Sequence, residues 1–221
     1  MISRRAFLGV AAVFSSAHSA TAFSHPLPQH LEAPRATVGW YVGWMPDDPH
    51  DIPIVDLRRI HPAYWRQLVR YNGSEQPGTI VINTGPRFLY LTREDNTAIR
   101  YGIGVGREGF AWSGVARVQR KAKWPGWTPP EEMRRRQPEL PAFMEGGLDN
   151  PLGARALYLY QNGRDTLYRI HGTNEPWSIG RAVSSGCIRL LNEDIVDLYD
   201  RVPLGTMVKV THRVQPVGPA S

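Results

Sequence analysis

The sequence predicts a mostly β chain carrying two short helices. Alternating, β-branched runs separated by Gly/Pro turns begin at residue 78, two segments carry helix-start and helix-stop residues, and an irregular tryptophan-bearing stretch lies between the strand groups. With 42% hydrophobic and 21% charged residues in 221, the chain can bury a core and is neither a disordered tail nor a disulfide-knotted peptide. Its one cysteine, Cys187, excludes an internal disulfide and a Cys-rich metal cage. The formal charge of +6 admits nucleic acid, a membrane surface or an anionic matrix as partners, but the excess is too dilute to choose among them.

The N-terminus places Arg4 and Arg5 before an apolar run over 6–14, followed by small residues up to Ala20-Thr-Ala22. That is an export signal, 1–22, with cleavage expected after Ala22, and Ser3-Arg4-Arg5-x-Phe7-Leu8 resembles the twin-arginine motif. Gly9 stands where that motif often has lysine, so a Sec route stays open. No run approaches the roughly 18 to 20 apolar residues of a membrane-spanning helix, so no transmembrane segment is expected. Residues 23–76 read as a proline-rich arm or linker, with Pro26, Pro28, Pro34, Pro46, Pro49 and Pro53 among polar residues. Within it, Tyr64, Trp65, Leu68 and Val69 at helical spacing suggest a short helix after Pro62.

The packed domain is expected over 77–211. Strands are expected at 79–84, 87–92 and 97–105 as a meander turning at Gly85-Pro86 and at 94–96, then at 114–119, 156–160, 167–170 and 206–211. One helix is expected over 129–136, where prolines and acids open it and Arg134, Arg135 and Arg136 close it in the sense the helix dipole favours. The arginine triplet is then a solvated helix end, and no nucleic-acid partner is called for. A second helix follows Asn192 as cap, burying Ile195, Val196, Leu198, Tyr199 and Val202 before Pro203 and Gly205 stop it. Residues 212–221 form a C-terminal tail.

Two signals are set aside. Gly104-Val-Gly106-Arg-Glu-Gly109 matches a dinucleotide fingerprint in letters, but a strand-like run follows where that motif needs a helix. The seven histidines are scattered without metal-ligand spacing, so neither a metal nor a cofactor is expected. Trp112, Trp124 and Trp127 either pack the core or cover a substrate groove.

Chemistry concentrates between residues 169 and 190. His171 ends one expected strand and Cys187 opens another after a loop of small and polar residues. An imidazole that takes the thiol proton produces a nucleophilic thiolate. Gly186 lets backbone N–H groups approach a substrate oxygen, as an oxyanion site requires.

These residues resemble the L,D-transpeptidases with a YkuD-type (ErfK/YbiS-like) catalytic domain. The resemblance runs over about 77–210: His171-Gly172-Thr173, the spacing to Gly180, the block Ser184-x-Gly186-Cys187-Ile188-Arg189-Leu190, and the Asn192-Glu-Asp-Ile helix with Val202-Pro-Leu-Gly-Thr206. It implies a β-sandwich-like fold with a long covering loop and a peptidoglycan-remodelling acyltransferase. Cys187 would be the nucleophile attacking the diaminopimelate carbonyl at position 3 of a donor stem tetrapeptide, and His171 the base and later the acid. The Gly172 carbonyl would orient the imidazole, amides at Gly186 and Cys187 would hold the oxyanion, and Arg189 would meet a substrate carboxylate. Ser184 and Thr173 would shape the loop and, together with Ser185, which stands where many members have histidine, would line the substrate-binding site. The partners implied are peptidoglycan stem peptides and, as one acyl acceptor among others, an outer-membrane protein; the compartment is the periplasm. A hydrolase using water as acceptor and a non-catalytic wall-binding module remain the alternatives.

Overall fold

The computed structural model describes residues 39–106, 112–184 and 186–212. The expected export segment, the expected arm up to residue 38, Ser185, tail residues 213–221 and the last part of the Gly104–Gly109 run lie outside the described residues.

Strands begin inside the stretch that reads as an arm. β1 (Tyr41–Met45) and β2 (Ile52–Val55) pair antiparallel. Pro53 faces Trp44 in this ladder. Because each strand has only one partner, a residue without an N–H is tolerated there. Between the strands, Asp47 accepts two hydrogen bonds of 2.7 Å from the Arg155 guanidinium and one of 2.8 Å from Trp124 Nε1. Burial alone would raise the Asp47 carboxyl, but these bonds outweigh it and hold the group below the usual carboxylate range. Removing one member of so buried a pair strands the other's charge, at a cost of about 3–5 kcal/mol.

The helix expected after Pro62 is a correction. The chain makes only two 3-10 turns, Leu57–Arg59 and Pro62–Tyr64, and then β3 (Gln67–Arg70). Leu68 is half exposed while Val69 is buried, which is the strand period of two and not the helical one. The aromatics before it pack outward from the turn: Tyr64 and Trp65 join Trp40 and Tyr41 around Val55, Ile60, Ile179 and Leu191. The arm is therefore docked against the loop that leads to Cys187.

The meander follows as expected: β4 (Ile80–Asn83), β5 (Phe88–Thr92) and β6 (Thr97–Gly102), then the short β7 (Val105–Gly106). β8 (Gly114–Lys123) runs longer than its expected end at 119. After the short helix α1 (Glu131–Arg136) come β9 (Arg155–Gln161) and β10 (Arg164–His171), a 3-10 turn at Pro176–Ser178, β11 (Ala182–Ser184), β12 (Ile188–Arg189), helix α2 (Asn192–Arg201) and β13 (Met207–Thr211).

Nine strands form one mixed sheet in the order β12-β10-β9-β8-β13-β4-β5-β6-β3. A bridge between Gly104 and Arg189 ties edge strand β12 to the segment leaving β6, so the sheet curls over on itself. One apolar core lies inside: Ile80, Ile82, Leu89 and Tyr101 from one half face Val118, Leu157, Leu159, Ile170 and Ile188 from the other. α2 closes it with Ile195 and Leu198. This is the expected mostly β, sandwich-like arrangement with two helices.

The aromatics of the irregular stretch divide. Trp124 is buried under the Asp47 contact, whereas Trp112 stacks on Tyr168 with ring centroids 5.5 Å apart. Among the described residues no helix is long and apolar enough to cross a membrane.

Candidate active site

β10 and β12 run parallel, with Ile170 beside Ile188 and His171 beside Arg189. Side chains alternate along a strand, so the two fully buried isoleucines face the core while His171 and Arg189 share the opposite face. Extending the register by one residue puts Cys187 level with Arg169, two residues from the His171–Arg189 pair and so on that same face. A backbone hydrogen bond between Arg169 and the sulfur agrees with this placement. A strand spacing of about 4.8 Å and a two-residue offset put the Cα atoms of Cys187 and His171 about 8 Å apart, within reach of converging side chains.

Several contacts fix the histidine. Leu190 N–H bonds the His171 carbonyl at 2.9 Å, and Gly172 N–H bonds Arg155 O at 3.0 Å. His171 Nδ1 lies 2.6 Å from Gly172 O. A carbonyl only accepts, so Nδ1 carries the proton in the neutral ring and Nε2 keeps its lone pair. Burial, then the positive charge of Arg189, pushes the His171 pKa down to about 3. At neutral pH the ring is uncharged and can take a proton.

Cys187 is half-buried. Burial pushes its thiol pKa up; the Arg169 hydrogen bond and the charges of Arg169 and Arg189 pull against this without overcoming it. The resting pair is thus thiol and neutral imidazole, and the thiolate forms only as the proton moves. Gly186, immediately before, has φ of +125°, a backbone that L side chains rarely adopt. An added Cβ would still find room, 3.5 Å from Tyr168 Cε1. The glycine is needed there for its backbone shape and not for lack of space.

Asn192 has a different role from the expected cap. Leu191 is the N-cap of α2. The Asn192 side chain accepts from Ala154 N–H at 3.0 Å and Thr173 N–H at 3.2 Å, and donates to Thr173 O at 3.0 Å. It clamps the His171-Gly172-Thr173 turn to the helix and to the entry of β9. Gly153 and Gly172 leave room for it, since a Cβ at either would come within 2.2 Å of Asn192 Oδ1. Thr173 is buried, and its Oγ1 accepts the Glu175 N–H at 3.0 Å.

Arg189, expected to await a substrate, is paired inside the protein: its Nη1 donates to Glu175 Oε2 at 2.5 Å. Sequence reasoning missed both Glu175 and the clamp by Asn192, and it missed Arg169, which Asp165 holds through two bonds of 2.7 and 2.9 Å. For Glu175, the signal was a carboxylate three residues beyond Gly172 in the motif turn. The backbone of Ser184 ends β11, which pairs with β7 and frames the loop. Ser185 lies outside the described residues. Among the described residues no three His, Cys, Asp or Glu side chains gather as a metal ion needs.

Residues 77–210 match the model of the YkuD L,D-transpeptidase catalytic domain. The chain belongs to this family. Among its relatives are the probable L,D-transpeptidases ErfK/SrfK and YbiS of Escherichia coli strain K12, each 44% identical over 140 and 139 residues respectively, covering 59% of this chain and 43% of theirs. The chain thus spans less than half the length of these curated relatives. A solved structure from Brucella melitensis, named a probable carnitine operon oxidoreductase, is 48% identical, covering 68% of this chain and 96% of its own, with a TM-score of 0.48. An Enterococcus faecium L,D-transpeptidase C442S mutant is 15% identical, covering 62% and 50%, with a TM-score of 0.45. In this L,D-transpeptidase domain, His171, Gly172, Thr173, Gly186, Cys187 and Arg189 all fall on the β10 and β12 ends or the turns beside them.

Proposed function

We propose that the protein is a peptidoglycan L,D-transpeptidase working through a Cys187 thioester. The observation that carries this is the parallel β10–β12 register, which sets Cys187 and His171 on one face with the imidazole uncharged and its Nδ1 proton committed to Gly172 O. Family membership supplies the substrate class.

In the acylation step, His171 Nε2 takes the thiol proton as sulfur bonds to the carbonyl carbon of the third-position diaminopimelate residue. The negative oxygen is held by backbone N–H groups at Gly186 and Cys187. The C–N bond to the fourth-position D-alanine breaks, and His171 returns its proton to the leaving amine. In the second step an acceptor amine attacks the thioester, gives a proton to His171, and the thiol reforms. Arg189 takes a substrate carboxylate, while Ser184, Ser185 and Thr173 shape the loop. The acceptor is a stem-peptide amine, giving a 3-3 crosslink, or an amine of an outer-membrane protein. The compartment is the periplasm, reached through the signal over 1–22.

Incubating the full protein with purified tetrapeptide muropeptides and weighing the products tests the reading. Crosslinked dimers with loss of D-alanine are expected, while Cys187→Ala and His171→Ala give none and Ser185→His stays active. Tripeptide alone as product would make the protein a hydrolase, and turnover by Cys187→Ala would end the thioester assignment.

A further inference from the structure

We propose that Glu175 is a displaceable stand-in for the substrate's terminal carboxylate: it pairs with Arg189 in the structure and yields it when a peptide with a free C-terminus enters. The proposal rests on the thioester reading above.

The two partners are held differently. Arg189 lies in a β strand registered with His171, its amide and carbonyl both bonded to Gly104, and its side chain is 14% exposed. It cannot leave. The Glu175 side chain is 42% exposed, although its backbone is anchored by Thr173 Oγ1 on its N–H and by Ser178 N–H and Oγ on its carbonyl. The carboxylate can therefore swing into water at little backbone cost. A solvated rim group paired with a fixed, mostly buried cation is the arrangement expected of an exchangeable ligand.

The pair also leaves the guanidinium short of an acceptor. Arg189 Nε is buried and finds no hydrogen-bond partner among the described residues. Glu175 meets the group through one terminal nitrogen. A carboxylate set against the fork would satisfy two N–H groups in parallel, the stronger geometry for arginine.

Spacing identifies which carboxylate. Cys187 and Arg189 are two residues apart on one face, roughly 7 Å in an extended chain. A peptide whose penultimate carbonyl sits on the sulfur carries its terminal carboxylate one residue further, about 3.8 Å along by Cα. An arginine side chain covers the remainder. A chain extended beyond that residue, or amidated at its end, brings no charge to this position and does not displace Glu175. The site then reads the free end of the stem peptide before chemistry begins. Exchange also swaps one negative charge for another beside Arg189, so the field on the neighbouring thiol and imidazole stays balanced when substrate is bound.

The test compares Glu175→Gln with its parent, both carrying Cys187→Ala so that binding is read without turnover. Calorimetric titration uses two probes, a stem tetrapeptide with a free C-terminal carboxylate and the same peptide amidated. Loss of the competing charge is expected to tighten the free acid about fivefold, the size of a partly exposed ion pair, and leave the amide unchanged. Arg189→Gln in the same background is expected to abolish the preference for the free acid. Equal shifts for both probes, or none, with the parent still binding them, would overturn the placeholder role alone. Failure of the parent to bind either peptide would refute the stem-peptide reading and this proposal with it. Matching thermal midpoints for Glu175→Gln and its parent exclude a folding defect as the cause of any change.

Discussion

Replacing Asp194 with asparagine should expose a pH dependence that the native protein hides. Asp194 is buried in the first turn of α2, and burial, with the Glu193 charge adding to it, pushes its pKa up to about 7. In the unfolded chain the same group ionises near 3.8. Between those values the folded state holds a proton that the unfolded state has lost, so stability falls as pH rises. His171 acts in the opposite sense. Its folded pKa of about 3 lies below the model-peptide 6.5, so between them the unfolded chain holds the extra proton and stability rises with pH. Each slope is about 1.4 kcal/mol per pH unit, and over pH 4.5 to 6.5 they largely cancel. Asp194→Asn keeps the shape of the protonated acid and removes only its slope. Two pH units at that slope give about 2.7 kcal/mol, and because the folded acid is already neutral over this range, no helix-dipole stabilisation of an anion is lost with it. The variant should therefore gain roughly 2.5 kcal/mol over the native protein between pH 4.5 and 6.5. Urea unfolding at pH 4.5, 5.5 and 6.5 reads this directly. Parallel plots for the two proteins would refute the cancellation.

Two further outcomes follow from the site. With His171 lowered to about 3 and the Cys187 thiol raised, kcat/KM should hold a broad plateau from about pH 5 to 8, and an acid limb near 6.5 in a stopped assay would contradict a buried neutral base. Asn192→Ala strands the buried N–H groups of Ala154 and Thr173 and should cost about 2–4 kcal/mol by chemical denaturation, with kcat falling more than KM changes because the His171 turn loosens.

The legible parts of the sequence were those where local pattern and tertiary role coincide. The meander strands alternate or run fully apolar between Gly/Pro turns, and the structure returns the first two within a residue, while β6 ends at Gly102, three residues before its expected end. His171 and Cys187 stand out as candidates because the proposed thiol chemistry needs particular residue types near glycine, and the structure sets them on neighbouring strand ends. The arm was misread because prolines at 46, 49 and 53 drowned the strand signal of Tyr41–Met45, whose partner strand tolerates proline. Tyr64, Trp65, Leu68 and Val69 suggested a helix because two adjacent apolar pairs mimic its period, and only the contact with β6 decides for a strand over Gln67–Arg70. Asn192 looked like a cap because asparagine usually is one; its true partners lie 19 and 38 residues away, beyond any local pattern. The Glu175–Arg189 pair is similarly non-local, formed because a turn and a strand end happen to face each other across the motif.

The Asp47–Arg155 contact decides how little of this chain can stand alone. The family match opens at residue 77, yet a fragment cut there would leave the guanidinium of Arg155 without its counter-charge, Trp124 without its acceptor, and β6 without the strand that covers its flank. Expression of the isolated domain should accordingly start before Trp40, and a shorter piece should be recovered as aggregate.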